Sequence, residues 1–319
     1  MKTHALGMPF QQEFERLSAE CDRLSSATLA LRTTMSYEDS WRRFAAWCVR
    51  AELSALPASS ETVALWATSM LVAGLKVTTV ALRISGVVHW HRKAGYSSPS
   101  GPEVRKLLNG ARRLRRETPR QKRALTVEQL RRVSRALDAQ TAMGLRDRAV
   151  FVLGFAGAFR RSELSALDLA DVSFVSKGLL IHLRGSKTDP LGRGRDVGIA
   201  AGDCAATCPV RTLRAWLDRR GVRPGAMFVA IHTGDQITKR RIGPNGIVDI
   251  IKRGVERIGL DGHNYAGHSL RSGCITAAAE NGASELAIMQ RSGHKSVQMV
   301  HRYVRPVTAF SVNPLAALL

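Results

Sequence analysis

Acidic side chains are scarce in this chain: 26 Asp and Glu stand against 48 Lys and Arg over 319 residues, for a formal net charge of +22 and a pI near 11.0. So one-sided a balance exceeds what solubility needs and points to a polyanionic partner, nucleic acid first. No long uncharged apolar run is present, which removes the expectation of a membrane-spanning helix or a membrane partner. The opening MKTHALGMPFQQEFERL has no apolar core of a secretory leader, so the expectation is an untargeted, soluble protein. Cysteine is sparse and odd in number: Cys21, Cys48, Cys204, Cys208 and Cys274 suit free thiols in a reducing cytosol better than a disulfide framework. Cys204 and Cys208 have no second pair to complete a zinc site, and His232, His263 and His301 read as satisfied or exposed histidines, so no metal is expected. A phosphate-binding glycine loop and an acidic cluster suited to a two-metal nuclease are missing too, and no cofactor is expected.

What is present divides the chain in two, as its length suggests. In the first part, Leu31, Met35, Trp41, Phe44, Ala45 and Cys48 recur at helical spacing over residues 28–53, until Pro57. A second helix is expected after Ser59 and Ser60, with Val63, Leu65, Trp66, Met70 and Leu71, ending at Gly74. A third runs from about Thr78 to Lys93 with Val80, Ile84, Val87 and His91 on one stripe, and a fourth spans 102–116. These make a small helical bundle over 1–118.

Nine basic residues against the single acid Glu117 then fill the stretch from Arg105 to Arg123. The candidate DNA contacts within it are Arg112, Arg113, Arg115, Arg116, Arg120, Lys122 and Arg123, read as a linker laid along a phosphate backbone with the boundary near Pro119. Beyond it, over 119–319, Thr126 and Gln129 form a capping-box pattern ahead of Leu130, Val133 and Leu137. An apolar helix follows over about Leu145 to Phe155. The period then changes to two: Leu179, Ile181 and Leu183 alternate with Leu180, His182 and Arg184, and with Val172–Phe174 and Asp196–Ile199 they predict a small antiparallel sheet. Helices resume over Pro209–Arg220, Asn245–Ile258, Arg271–Asn281 and Ser284–Arg291. The fold class expected is mainly α with a small antiparallel β-sheet.

Four short pieces of this second part hold a phosphate chemist's kit: Arg160 in AFRRSEL, Lys187 in GSKTD, His268-Ser269-Leu270-Arg271, and His294 with Tyr303 nine positions later. Planar guanidiniums clamp the nonbridging oxygens of a phosphodiester in fork fashion, an ammonium can protonate a leaving oxygen, imidazoles move protons, and a phenol can attack. If a helix starts near Ser269, His268 lies just before it and Arg271 in its first turn, where N–H groups favour an anion.

The order and spacing of these pieces resemble the tyrosine recombinases, the phage integrase and Xer/Cre family. The resemblance implies a catalytic α+β domain closing over DNA opposite an N-terminal core-binding bundle. It implies Arg160 and Arg271 as the clamp, Glu163 as its support, Lys187 as the hairpin lysine acting on the 5′ oxygen, His268 and His294 at the phosphate, and Tyr303 as nucleophile. Two residues between arginine and glutamate select Arg160 over Arg161, and of four tyrosines only Tyr303 has the histidine nine residues before it. The expected reaction is strand cleavage through a 3′-phosphotyrosyl intermediate and rejoining without ATP or metal. The expected partners are double-stranded DNA carrying a specific site, further copies of the chain in a tetramer, joined through an apolar tail bearing Phe310, Val312, Leu315, Leu318 and Leu319, and accessory proteins of unknown kind. The expected setting is the cytoplasm, at the nucleoid. Two other classes stay open on the residues alone: a type IB topoisomerase-like relaxing enzyme, and a DNA-binding protein without catalysis.

Overall fold

The computed structural model describes residues 10–26, 31–116, 121–184, 194–301 and 303. The chain divides into two compact units, Met1–Pro119 and Arg120–Leu319. Among the described residues no helix is long and apolar enough to cross a membrane.

The first unit is helical: α1 (Phe10–Ser26), α2 (Leu31–Arg50), α3 (Ser60–Val72), α4 (Val77–Lys93) and α5 (Pro102–Arg115). Helix α3 starts where Ser59 Oγ accepts the Thr62 N–H at 3.1 Å, and it stops before Gly74, whose φ of +83° continues no helix. Ser60 Oγ donates to the Pro99 carbonyl at 2.9 Å and accepts the Gly101 N–H at 3.0 Å, tying the start of α3 to the start of α5. Phe44, Trp66, Val80, Val87 and Val104 form the centre of the core. The rings of Phe44 and Trp66 sit 5.0 Å apart, and truncating either to alanine costs on the order of 3–5 kcal/mol. His91, expected on the apolar stripe, is fully buried and satisfied: Ala58 N–H donates to its Nε2 at 2.9 Å while Nδ1 faces the Val87 carbonyl at 2.9 Å. Met35 and Leu65, also expected on packed stripes, are instead largely exposed, because each stands beside the core-facing row rather than in it. Helix α1 was not foreseen; its Phe14 and Leu17 are exposed and set up no buried stripe.

The second unit is built round α7 (Ala142–Ala156), preceded by α6 (Val127–Ala136). The capping box of α6 is present: Thr126 Oγ1 accepts the Gln129 N–H and Gln129 Oε1 accepts the Thr126 N–H, each at 3.1 Å. Ala149 to Leu153 are all buried, so the second half of α7 is packed on every side, while Arg146 and Asp147, in its first half, are buried as an ion pair. After the short α8 (Arg161–Ala166) come the antiparallel strands β1 (Val172–Val175), β2 (Gly178–Leu183) and β3 (Arg195–Ala200). Val172 pairs with Ile181 and Ile181 with Val197, which turns Leu179, Ile181 and Leu183 inward, as their alternation required.

Helix α9 (Pro209–Arg220) brings in Trp216, fully buried, with its indole N–H donated to the Met227 carbonyl at 3.0 Å. A second hairpin, β4 (Val229–His232) and β5 (Gln236–Arg241), was not expected; its strands are short and largely exposed, so no clean alternation marks them. Its turn residue Asp235, at φ +63°, reaches across to cap α7 by accepting the N–H groups of Ala142 at 2.6 Å and Met143 at 2.9 Å. Helices α10 (Pro244–Glu256), α11 (Gly267–Glu280) and α12 (Glu285–Ser292) follow, and residues 297–301 and 303 are helical. At Gly273 a Cβ would lie 2.0 Å from the Leu125 carbonyl oxygen, so glycine is what lets α11 lie so close to that segment.

Candidate active site

Helix α8 explains the first motif. Arg160 is its N-cap, with extended backbone (ψ 150°), and Glu163 is the third helical residue. From that position Glu163 reaches back, accepting the Arg160 backbone N–H at 2.8 Å on Oε2 and the Arg160 side chain on Oε1. The two-residue gap between arginine and glutamate is therefore the pitch of a first helical turn. Glu163 is buried, so its charge is held by Arg160 rather than by water.

The second motif starts differently from the expectation. Helix α11 begins at Gly267, so His268 lies inside its first turn and Arg271 at the start of its second. The cause is Ser269, whose hydroxyl accepts the Ala266 N–H at 3.0 Å and thereby caps the helix from within. Arg271 is only 1% exposed, a depth that costs a charge heavily unless every donor is used. Its NH1 donates to the Ala158 carbonyl at 2.8 Å and its NH2 to His294 Nε2 at 3.0 Å. Ala158 presents that carbonyl from the left-handed region, at φ +50°. Burial, then the Arg160 charge, push the Arg271 guanidinium down to about 10, so it is still protonated at neutral pH.

His294 follows Gly293, which closes α12 at φ +67°. Because a guanidinium can only donate, His294 Nε2 carries a lone pair and the proton sits on Nδ1. That Nδ1–H donates to Ser292 Oγ at 2.8 Å, and the Ser292 hydroxyl donates onward to the Ile288 carbonyl at 2.6 Å. Burial first, then Arg271 and Arg160, push His294 down to about 4, which agrees with a neutral ring. Ser292 and its hold on the tautomer had no local sign in the sequence.

Tyr303 closes the set. Its hydroxyl is 2.5 Å from His268 Nε2, and its ring centroid is 6.1 Å from each of the His268 and His294 rings. Behind it, Ile275, Ile288 and Val300 form a small apolar cluster that seats the phenol body. His268 is pushed below its ordinary value by burial, then by Arg271 and Arg160. The other tyrosines have other places: Tyr265 is buried in the core and Tyr96 is exposed in the first unit.

Arg160, Glu163, His268, Arg271, His294 and Tyr303 are thus gathered from α8, α11 and the end of α12 onward. Lys187, between β2 and β3, lies outside the described residues, as do Arg120 and the apolar tail. Among the basic candidates, Arg105, Lys106, Arg112, Arg113 and Arg115 belong to α5 rather than to a linker, and Arg116 is its C-cap. Arg112 bonds Asn109, and Arg115 donates to the Leu75 carbonyl at 2.9 Å and to the Leu71 carbonyl, capping the end of α3. Lys122 reaches the His263 carbonyl, and the Arg123 backbone N–H donates to the Asn264 carbonyl at 2.8 Å. Two residues that the sequence did not mark stand beside the set: Ser292, and Arg195 at the head of β3, whose side chain lies 4.0 Å from Glu163 Oε2.

The phage integrase family model matches residues 123–309. An integrase/recombinase xerD homolog of Selenomonas ruminantium is 35% identical over 305 residues, covering 94% of this chain and 89% of that protein. The recombinase cre of Escherichia phage P1 is 25% identical over 289 residues, covering 83% and 81%. In fold, the chain is similar to the Tn1549 transposon integrase in complex with transposon right end DNA, with a TM-score of 0.62 at 15% identity over 86% of this chain and 89% of that one. It is similar also to a lambda integrase (residues 75–356) dimer bound to a COC′ core site, with a TM-score of 0.60 at 17% identity, covering 90% and 93%. With a family model over more than half its length and a 35% identical relative along nearly all of it, the chain belongs to the phage integrase family, the tyrosine recombinases.

Proposed function

We propose that this chain cleaves and rejoins double-stranded DNA at a specific recombination site, with Tyr303 as nucleophile. The observation that carries the reading is the 2.5 Å contact between the Tyr303 hydroxyl and His268 Nε2 beside the Arg160–Glu163 and Arg271–His294 pairs. A free phenol has a pKa of about 10 and needs a base. His268, kept neutral by burial and two neighbouring guanidiniums, is that base. In the step proposed, the Tyr303 proton passes to His268, the phenolic oxygen bonds to phosphorus, and the P–O5′ bond breaks. The 5′ oxygen leaves as a hydroxyl, its proton supplied by Lys187, and the 3′ phosphate stays on Tyr303. Reversal with another 5′ hydroxyl rejoins the strand; the bond energy is kept, so neither ATP nor metal enters.

Arg160 and Arg271 hold the nonbridging oxygens. Arg271 NH2 donates to the neutral His294 nitrogen. A phosphate oxygen is the stronger acceptor because it is charged, and it displaces that contact at little cost. The basic face of α5, with Lys122 and Arg123, lies along the DNA backbone, and Met1–Pro119 serves as the core-binding unit. The apolar tail beyond Tyr303 joins protomers into a tetramer on two sites, in the cytoplasm at the nucleoid.

A nicked suicide duplex tests the reading: the wild-type chain should form an adduct stable to denaturation, and Tyr303→Phe none. Recombination requiring two copies of one sequence separates a recombinase from a relaxing enzyme, which needs neither sequence nor partner site.

A further inference from the structure

Arg195 enters the site from a side that no motif marks. It is the first residue of β3, directly beyond the segment that carries Lys187. Its NH1 donates to the Arg291 carbonyl at 3.0 Å, at the end of α12 and three residues before His294. Its stem and fork lie over Gly293, where a Cβ would meet Arg195 Nε at 3.0 Å and Cζ at 3.2 Å. Glycine at 293 thus suits the left-handed backbone and spares the Arg195 fork a tight contact. The other nitrogen, NH2, is buried and has no hydrogen-bond partner among the described residues, lying 4.0 Å from Glu163 Oε2.

An orphaned buried donor costs about 1–3 kcal/mol, more when charged, so its persistence asks for a reason. The charges nearby supply one. The Glu163 carboxylate already accepts two bonds from Arg160, so it neutralises one guanidinium and leaves Arg195 in excess beside Arg271. A site holding more positive charge than its own carboxylate can balance is strained without an anion and relieved by one. Arg195 also touches both sides of the cradle, the Arg160–Glu163 turn and the turn leading to His294.

We propose that Arg195 is a positioning residue of the strand-cleavage site, bridging Glu163, and through it Arg160, to the Arg291–His294 turn, and adding a third guanidinium charge to the phosphate cradle. The inference rests on the recombinase reading above.

Single-turnover adduct formation on saturating suicide duplex tests it, with DNA affinity and melting temperature measured in parallel. Arg195→Gln should slow adduct formation roughly 10–100-fold, the size of effect that losing a residue behind a metal ligand has in metal sites. DNA affinity should change little. Arg195→Lys, which keeps the charge but not the fork, should recover part of the rate. Arg195→Gln combined with Glu163→Gln should lose less than the product of the two single losses. An unchanged rate in Arg195→Gln, losses that multiply in the double variant, or a lower melting temperature with an unchanged rate per active molecule would each overturn the inference while the wild-type adduct still forms. Should Arg195→Gln not fold, Arg195→Lys decides: a slower rate at native melting temperature supports the bridge, and an unchanged rate refutes it. A wild-type chain that forms no adduct sinks the recombinase reading, and this inference with it.

Discussion

Lowering the pH should loosen the catalytic unit through one identifiable ring. Burial first, then the Arg271 and Arg160 charges, lower the proton affinity of His294 from the ordinary 6.5 to about 4, so the ring is neutral in the folded chain and its Nε2 accepts from Arg271 NH2. The unfolded chain therefore binds the proton first. The stabilising contribution is complete above pH 6.5 and is lost as the pH falls from there toward 4. For a single site with those two values the loss between pH 8 and pH 5 is about 2 kcal/mol. His294 is partly exposed, and screening reduces this to about 1 kcal/mol. In a unit of this size that corresponds to a melting shift of about 2–4 °C. The assay is thermal or urea unfolding of the wild-type chain and His294→Gln at pH 8 and pH 5; the difference of differences isolates His294 from the carboxylates. His268, shifted in the same direction, leaves a residual slope in the variant. Identical pH slopes in the two proteins would refute the neutral, Arg271-bonded histidine.

Arg160→Ala should leave DNA affinity near wild type and cut the cleavage rate by about 10²–10³, as losing one charge-stabilising donor does elsewhere. Arg271→Ala should do the same and also destabilise the unit by about 1–3 kcal/mol, because it empties a site only 1% exposed and leaves the Ala158 carbonyl and His294 without their donor; equal melting temperatures for the two variants would contradict the buried clamp. Asp235→Ala removes the acceptor of the Ala142 and Met143 N–H groups at the start of α7 and should cost about 1–2 kcal/mol in urea unfolding, with no change in cleavage per folded molecule. DNA affinity should fall by about 0.9 log units per log unit of salt for each phosphate neutralised. A flat salt dependence would show that the +22 charge is not the docking surface.

Local signals carried far along this chain. The Thr126–Gln129 box and the alternation of Leu179, Ile181 and Leu183 are each set by one turn or one strand, and each stands in the structure as read; the gap between Arg160 and Glu163, taken from the resemblance, proves to be one helical turn. What escaped reading depends on residues distant in sequence. Asp235 caps a helix some ninety residues earlier, from a hairpin too exposed to alternate. Helix α11 starts two residues before Ser269 because that hydroxyl turns back to Ala266, a choice a serine makes only once the chain around it is folded. Arg195 and Ser292 sit beside Glu163 and His294 with no local mark in sequence, and only the meeting of β3, α8 and α12 gives them a role to test.

The most direct measurement is mass spectrometry of the peptide that carries the nucleotide after a suicide duplex is trapped and digested. A 3′-phosphoryl linkage on Tyr303 is expected, absent from Tyr303→Phe and accompanied by a free 5′ hydroxyl on the released strand. A linkage on another residue, or efficient cleavage by Tyr303→Phe, would contradict Tyr303 as the nucleophile.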